Sequence, residues 1–188
     1  QVRILTATGR SQAAAGSGFV VSSDGLAITN YHVVSKLVVD PSRYVAEAVS
    51  TAGERDDITI LKIDVLHDLA LIRINKRRDW PPLRISSRSL KQGERLYSLG
   101  NPLDLGFAIS EGSFNGLITR PYYPQILFSG AINSGMSGGP AVDESGEVVG
   151  VNVSKRLDGE QISFLVPAQF VSLLIDQGAA ITVQPTQQ

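Results

Sequence analysis

The sequence predicts an all-β chain, a barrel or sandwich arranged in two lobes, on three observations. Short runs rich in Val, Ile, Leu and Thr recur along its 188 residues, each bounded by Gly, Asp, Ser or Pro. Several of these runs are joined by tight-turn signals, with Asp24-Gly25 between Phe19-Val20-Val21 and Leu26 to Thr29 as the clearest. Near mid-chain, Asp79-Trp80-Pro81-Pro82 interrupts the pattern with two prolines, which exclude a central strand. That break divides the chain into an N-terminal lobe over 1–80 and a C-terminal lobe over 81–188.

The remaining elements follow in order. Ile58 to Val65 and Leu69 to Ile74 read as two apolar strands of the first lobe. In the second lobe, Pro140-Ala141-Val142 and Val148 to Val153 flank the turn Glu144-Ser145-Gly146, and Asp158-Gly159 precedes a strand over Ile162 to Val166. One helix is predicted, over about 167–178. Pro167 opens it, Phe170, Val171, Leu174 and Ile175 share a face, and Gly178 closes it. The polar stretch from Thr182 onward reads as a tail.

Composition narrows the function. Net charge is −1 and no basic block occurs, so the chain lacks the electrostatic footprint of a nucleic-acid binder. It has no cysteine, hence no disulfide, thiolate nucleophile or cysteine metal site, and no metal or other cofactor is expected. No apolar run reaches the roughly 18 residues that a membrane-spanning helix needs.

The chemistry concentrates in Asn133-Ser134-Gly135-Met136-Ser137-Gly138-Gly139-Pro140. A serine hydroxyl attacks a carbonyl only when a base takes its proton and donors stabilise the oxyanion. Glycines on both sides of Ser137 allow a sharp turn that aims the N–H groups of Gly135 and Ser137 at one point, with Met136 between them. A serine among glycines is in most chains a plain loop residue. Here the whole string leads into a strand-turn-strand pattern, which points to a nucleophile.

Two histidines are available as base. His32, in Thr29-Asn30-Tyr31-His32-Val33-Val34, stands where a strand gives way to a different segment. His67 is followed directly by Asp68, and sequence neighbours on a strand point to opposite faces, so these two cannot serve each other. Pairing His32 with Asp68 is the better geometry, and a carboxylate opening an apolar strand needs such a hydrogen-bonding partner. The order His32, Asp68, Ser137 is that of chymotrypsin-like enzymes, and differs from those of subtilisins and α/β-hydrolases.

Taken in sequence, Gly16 to Val34, His67 to Ile74, Leu99-Gly100-Asn101-Pro102, Ala131 to Pro140, Gly146 to Asn152 and Val166-Pro167-Ala168 resemble a trypsin-like serine protease of the HtrA (Deg) type, along nearly the whole chain. The resemblance implies two six-stranded antiparallel β-barrels with a C-terminal helix. It further implies ATP-independent degradation of unfolded or damaged polypeptides, a periplasmic or secreted location, and a trimer. The sequence departs from that pattern in four respects. Met136 stands where Asn or Asp is usual, and Lys155 where an aliphatic residue is usual. No PDZ domain follows within these residues, and the short segment before Gly16 lacks the aromatic residues that would support a trimer.

Specificity follows from position. Tryptic cleavage uses an aspartate six residues before the nucleophile, and that position is Ala131. With Ile132 beside it, a small apolar pocket taking Val or Ala is expected. Val153, Ser154 and Lys155 are expected to form the edge along which substrate pairs as an added strand. The competing reading is a protease fold retained as a latent peptide-binding or chaperone module. An esterase would use the same residues on a different substrate.

Overall fold

The computed structural model describes residues 1–76, 79–102, 105–119, 121–157 and 160–177, with the backbone alone described for 154–157 and 160–162. The first lobe holds β1 (Val2–Thr6), β2 (Gln12–Gly16), β3 (Phe19–Val20), β4 (Leu26–Thr29), α1 (Tyr31–Val39), β5 (Tyr44–Val49), β6 (Arg55–Asp64) and β7 (Leu69–Ile74). Its strands form one sheet in the order β2-β1-β5-β6-β7-β4-β3. The two edge strands, β2 and β3, are separated in sequence only by Ser17 and Gly18, so the sheet curls until its edges meet through the chain itself. The second lobe is a closed barrel of β8 (Arg95–Gly100), β9 (Ala108–Ile118), β10 (Gln125–Phe128), β11 (Pro140–Val142), β12 (Val148–Leu157) and β13 (Glu160–Pro167). Helix α2 (Ala168–Asp176) follows.

The all-β class with a C-terminal helix is the one the sequence predicts, and the second lobe is the expected six-stranded barrel. The first lobe differs in detail, as a seven-stranded, half-barrel sheet, because the bend at Ser17-Gly18 breaks one long strand into β2 and β3. The expected hairpin around Asp24-Gly25 is β3–β4, closed by a bond from Val21 N–H to the Leu26 carbonyl at 2.8 Å. Asp158-Gly159 lie outside the described residues, as do 178–188.

One element is absent from the sequence reading: α1. Asn30 is its N-cap, in extended conformation, and Val33, Val34 and Leu37 bury one face of it against the first lobe. That spacing of apolar residues is helical. The buried apolar residues fall into three groups, two inside the lobes and one between them. Between the lobes, Phe19, Ile28, Leu69 and Leu71 meet Val142, Val148, Val151, Val153 and Val166, with Val171 and Leu174 of α2. Each such side chain contributes about 1.5–3 kcal/mol on burial, so this shared core fixes the lobes against each other.

A charged cluster braces the β11–β12 turn. The buried Asp143 carboxylate accepts from Arg88 Nη2 at 2.7 Å, Ser145 Oγ at 2.6 Å, Ser145 N–H at 2.9 Å and Glu147 N–H at 3.1 Å. Arg88 also pairs with Glu94. Burial alone would raise the Asp143 pKa, but the Ser145 and Arg88 bonds outweigh it and hold the group at about 2, below its usual 3.8. A depressed carboxylate stabilises the fold fully above its unfolded value and loses that stabilisation as pH falls through its folded value. The contribution is about 2 kcal/mol. Urea unfolding at pH 5 and pH 2 should therefore show a loss of that size from this group, and Asp143→Asn should be less stable at pH 5 while losing less on acidification.

Candidate active site

His32 lies in the first turn of α1, directly after β4 delivers the chain to Asn30. Asp68 closes the β6–β7 turn and immediately precedes β7, the neighbour of β4 in the sheet. The two are therefore brought together by adjacent strands. Asp68 has φ 55°, a left-handed conformation that costs a non-glycine residue about 1–2 kcal/mol, with Asp and Asn among those that adopt it most readily. Four bonds hold it there. Its carbonyl accepts from Asn30 Nδ2 at 2.8 Å and from Tyr31 N–H at 3.1 Å. Its carboxylate accepts from His32 N–H at 2.9 Å through Oδ1 and meets His32 Nδ1 at 2.7 Å through Oδ2. Since an ionised carboxylate only accepts, the proton of a neutral His32 sits on Nδ1 and Nε2 is left as an acceptor.

His67 serves elsewhere. Its ring bonds Asp64 Oδ2 at 2.6 Å and stacks on Phe170 of α2, with centroids 4.0 Å apart. It shares the β6–β7 turn with Asp68, where the sequence reading places the two on a strand.

Ser137 is held between two linked turns. Asn133 O accepts from Met136 N–H at 3.0 Å, and Met136 O accepts from Gly139 N–H at 3.0 Å. Gly135 (φ 92°) and Gly138 (φ 86°) occupy the third position of each, where a positive φ is required. The loop is tied down on every side. The Ile132 and Met136 side chains are buried in the barrel core, and Ile132 N–H donates to Ser163 Oγ at 3.0 Å. Gly138 N–H donates to the Asn152 carbonyl at 3.0 Å, while Asn152 Nδ2 donates to Leu99 O at 2.9 Å. Ser17 N–H, from the first lobe, donates to Ser137 O at 2.8 Å.

Gly138 packs against the first lobe so closely that a side chain has no room. A Cβ there would lie 2.4 Å from Ser17 O, 2.5 Å from Thr29 Oγ1 and 2.8 Å from Asn30 N, two residues before His32. This contact sets Ser137 against the strand end that carries the His32–Asp68 pair. Gly138→Ala combines the clash with an unfavourable φ and should cost about 3 kcal/mol or more, read as a fall of roughly 6–12 °C in melting temperature.

The remaining site candidates are distributed as follows. Ile132 and Val153 have fully buried side chains, Ile132 in the barrel core and Val153 in the interlobe core, while Ala131 is exposed. Ser154 and Lys155 continue β12, paired with Ser163 and Ile162 of β13, and their side chains lie outside the described residues. On its β11 side, among the described residues, β12 pairs as far as Val151–Pro140 and the Asn152–Gly139 bond. Sequence reasoning passed over Ser17, Asn30, Asn152 and Ser163, which orient the site from behind. Ser17 alone carried a usable signal, standing between two glycines in Gly16-Ser17-Gly18.

Residues 16–151 match the family model of the trypsin-like peptidase domain. The chain belongs to this family. Among curated proteins, this trypsin-like peptidase domain is 34% identical over 173 residues to a probable periplasmic serine endoprotease DegP-like of Brucella suis, covering 87% of this chain and 33% of that protein. It is 34% identical over 172 residues to Serine protease HTRA3 of Homo sapiens, covering 86% of this chain and 37% of that protein. The HtrA/Deg resemblance read from the sequence thus stands, with the chain spanning about a third of the length of these relatives. Among solved structures, Deg5 superposes with a TM-score of 0.75 at 28% identity, covering 92% of this chain and 85% of that one. Relatives named as periplasmic and as mitochondrial both occur. Among the described residues no helix of the peptidase domain is long and apolar enough to cross a membrane.

Proposed function

We propose that this chain is a serine endopeptidase of the HtrA type that cleaves unfolded polypeptides through an acyl-enzyme. The observation that carries the reading is the His32–Asp68 pair at 2.7 Å, carried by the strand end against which Gly138, next to Ser137, packs. His32 Nε2 takes the Ser137 proton as Oγ attacks the scissile carbonyl, and the N–H groups of Gly135 and Ser137 receive the oxyanion. The imidazolium, stabilised by Asp68, then protonates the leaving amine. Water, activated by His32, hydrolyses the ester and restores the site. No cofactor takes part.

Substrate pairs as an added strand along the β12 edge beyond Asn152, at Val153, Ser154 and Lys155. The exposed Ala131, in place of an acidic residue, disfavours Lys and Arg and favours cleavage after small aliphatic residues, whereas Ile132 and Val153 are buried in the cores and do not line the pocket. The periplasmic name of one set of relatives supports a periplasmic or secreted location. Incubation with β-casein, a protein without stable structure, tests the whole reading. Fragments ending in Val, Ala or similar residues are expected from the wild-type chain and none from Ser137→Ala. Casein bound but uncleaved by the folded wild type would instead identify a peptide-binding module.

A further inference from the structure

We propose that Ser17 is a positioning residue for the oxyanion site, a clamp that sets the spacing between its two backbone donors. The inference rests on the reading of Gly135 and Ser137 as those donors. Ser17 belongs to the first lobe, in the two-residue bend between β2 and β3, and is 4% exposed. Every polar atom it has is engaged. Its N–H donates to the Ser137 carbonyl at 2.8 Å, and its carbonyl accepts from Thr29 Oγ1 at 2.7 Å. Its Oγ lies 2.9 Å from the Asn101 backbone nitrogen and 2.7 Å from the Gly135 carbonyl oxygen.

The direction of these last two bonds is fixed by chemistry. A backbone N–H can only donate, so Asn101 fills an acceptor site on Oγ, and the single hydroxyl proton must point at Gly135 O. One residue therefore holds residue 137 through its own backbone and residue 135 through its side chain. The Gly135–Met136 peptide plane is caught at both ends, its oxygen by Ser17 and its N–H by Asn133 O at 3.0 Å. Without the hydroxyl, the Gly135 carbonyl loses its bond to the first lobe. Among the described residues this end is then held by bonds within its own loop, the buried Met136 side chain and the 3.3 Å contact of Asn152 Nδ2 with Met136 O. A glycine with φ 92° has a wide range of alternatives once released. Oxyanion stabilisation depends on donors held in place before the reaction, so added freedom at Gly135 lowers turnover more than substrate binding.

The test compares wild type, Ser17→Ala, Ser17→Thr and Ser137→Ala as full chains on fluorescently labelled β-casein, with a melting curve for each. Ser17→Ala should lower kcat about 10- to 100-fold, less than loss of a donor itself, with KM within about twofold. Fluorophosphonate labelling of Ser137 should slow in parallel. Ser17→Thr, which keeps the hydroxyl, should recover most of the kcat. Wild-type kcat in Ser17→Ala, or a loss that tracks only a lowered melting temperature, would overturn the clamp and leave the protease reading standing. Equal casein hydrolysis by wild type and Ser137→Ala would overturn that reading, and the clamp with it.

Discussion

Replacing Ser137 by alanine should reduce hydrolysis of an unfolded protein by about 10⁵-fold or more while leaving KM and the melting temperature close to wild type. The substitution removes one oxygen from a side chain that is 6% exposed and changes no backbone demand, since the positive φ values belong to Gly135 and Gly138. Every backbone bond that shapes the loop remains, including that from Ser17 N–H to the residue 137 carbonyl. What is lost is the atom that forms the acyl-enzyme. Nucleophile and base act as one unit, so Ser137→Ala combined with His32→Ala should be little worse than either alone. Progress curves with labelled casein, at enzyme concentrations high enough to detect the residual rate, measure both effects.

Asp68→Asn should lower kcat by about 10⁴-fold with an intact fold. Asn adopts the left-handed conformation at least as readily as Asp, so φ 55° is kept, and the carbonyl bonds from Asn30 and Tyr31 are indifferent to the side chain. The amide oxygen can still accept from His32 N–H at the Oδ1 position. The amide nitrogen then faces His32 Nδ1, where the carboxylate lies 2.7 Å away in the native protein. A donor at that place selects the tautomer with its proton on Nε2, which can no longer take the Ser137 proton, and an imidazolium loses its counter-charge. Steady-state kinetics of Asp68→Asn, with a melting curve to show that it folds, provide the measurement.

The sequence exposed those parts of the fold whose causes are local. Asp24-Gly25 marks its hairpin because a glycine is needed where φ is 92°. Pro167 marks the start of α2 because its fixed φ, here −57°, suits the N-cap at which β13 ends and the helix begins. Helix α1 escaped because its apolar face is brief, Val33, Val34 and Leu37 within nine residues, and follows a strand without a break. The half-barrel form of the first lobe was illegible for a different reason. Which strands flank β1 and β6 is settled by long-range pairing, such as Val2 with Ala48 and Ile58 with Ile74, and no local pattern encodes it.

The candidate site divides in the same way. His32, Asp68 and Ser137 stood out because each residue type sits in a distinctive local string. The residues behind them did not, since a serine or asparagine that orients a backbone carbonyl looks like any other. Asn30 shows this well: its side chain is fully buried and its amide holds Asp68 O, a contact made across 38 positions of sequence. Ile132 and Val153 were legible as apolar but not as buried, because burial depends on how the barrel core closes around Ile132 and the interlobe core around Val153.

The most direct test of the central claim is intact-mass detection of fluorophosphonate labelling on wild type, His32→Ala and Ser137→Ala. The account predicts a single adduct on the wild-type chain, mapped to Ser137, and none on either variant under the same conditions. Folded wild-type protein that takes no adduct, with or without casein present, or an adduct that persists in Ser137→Ala, would contradict it.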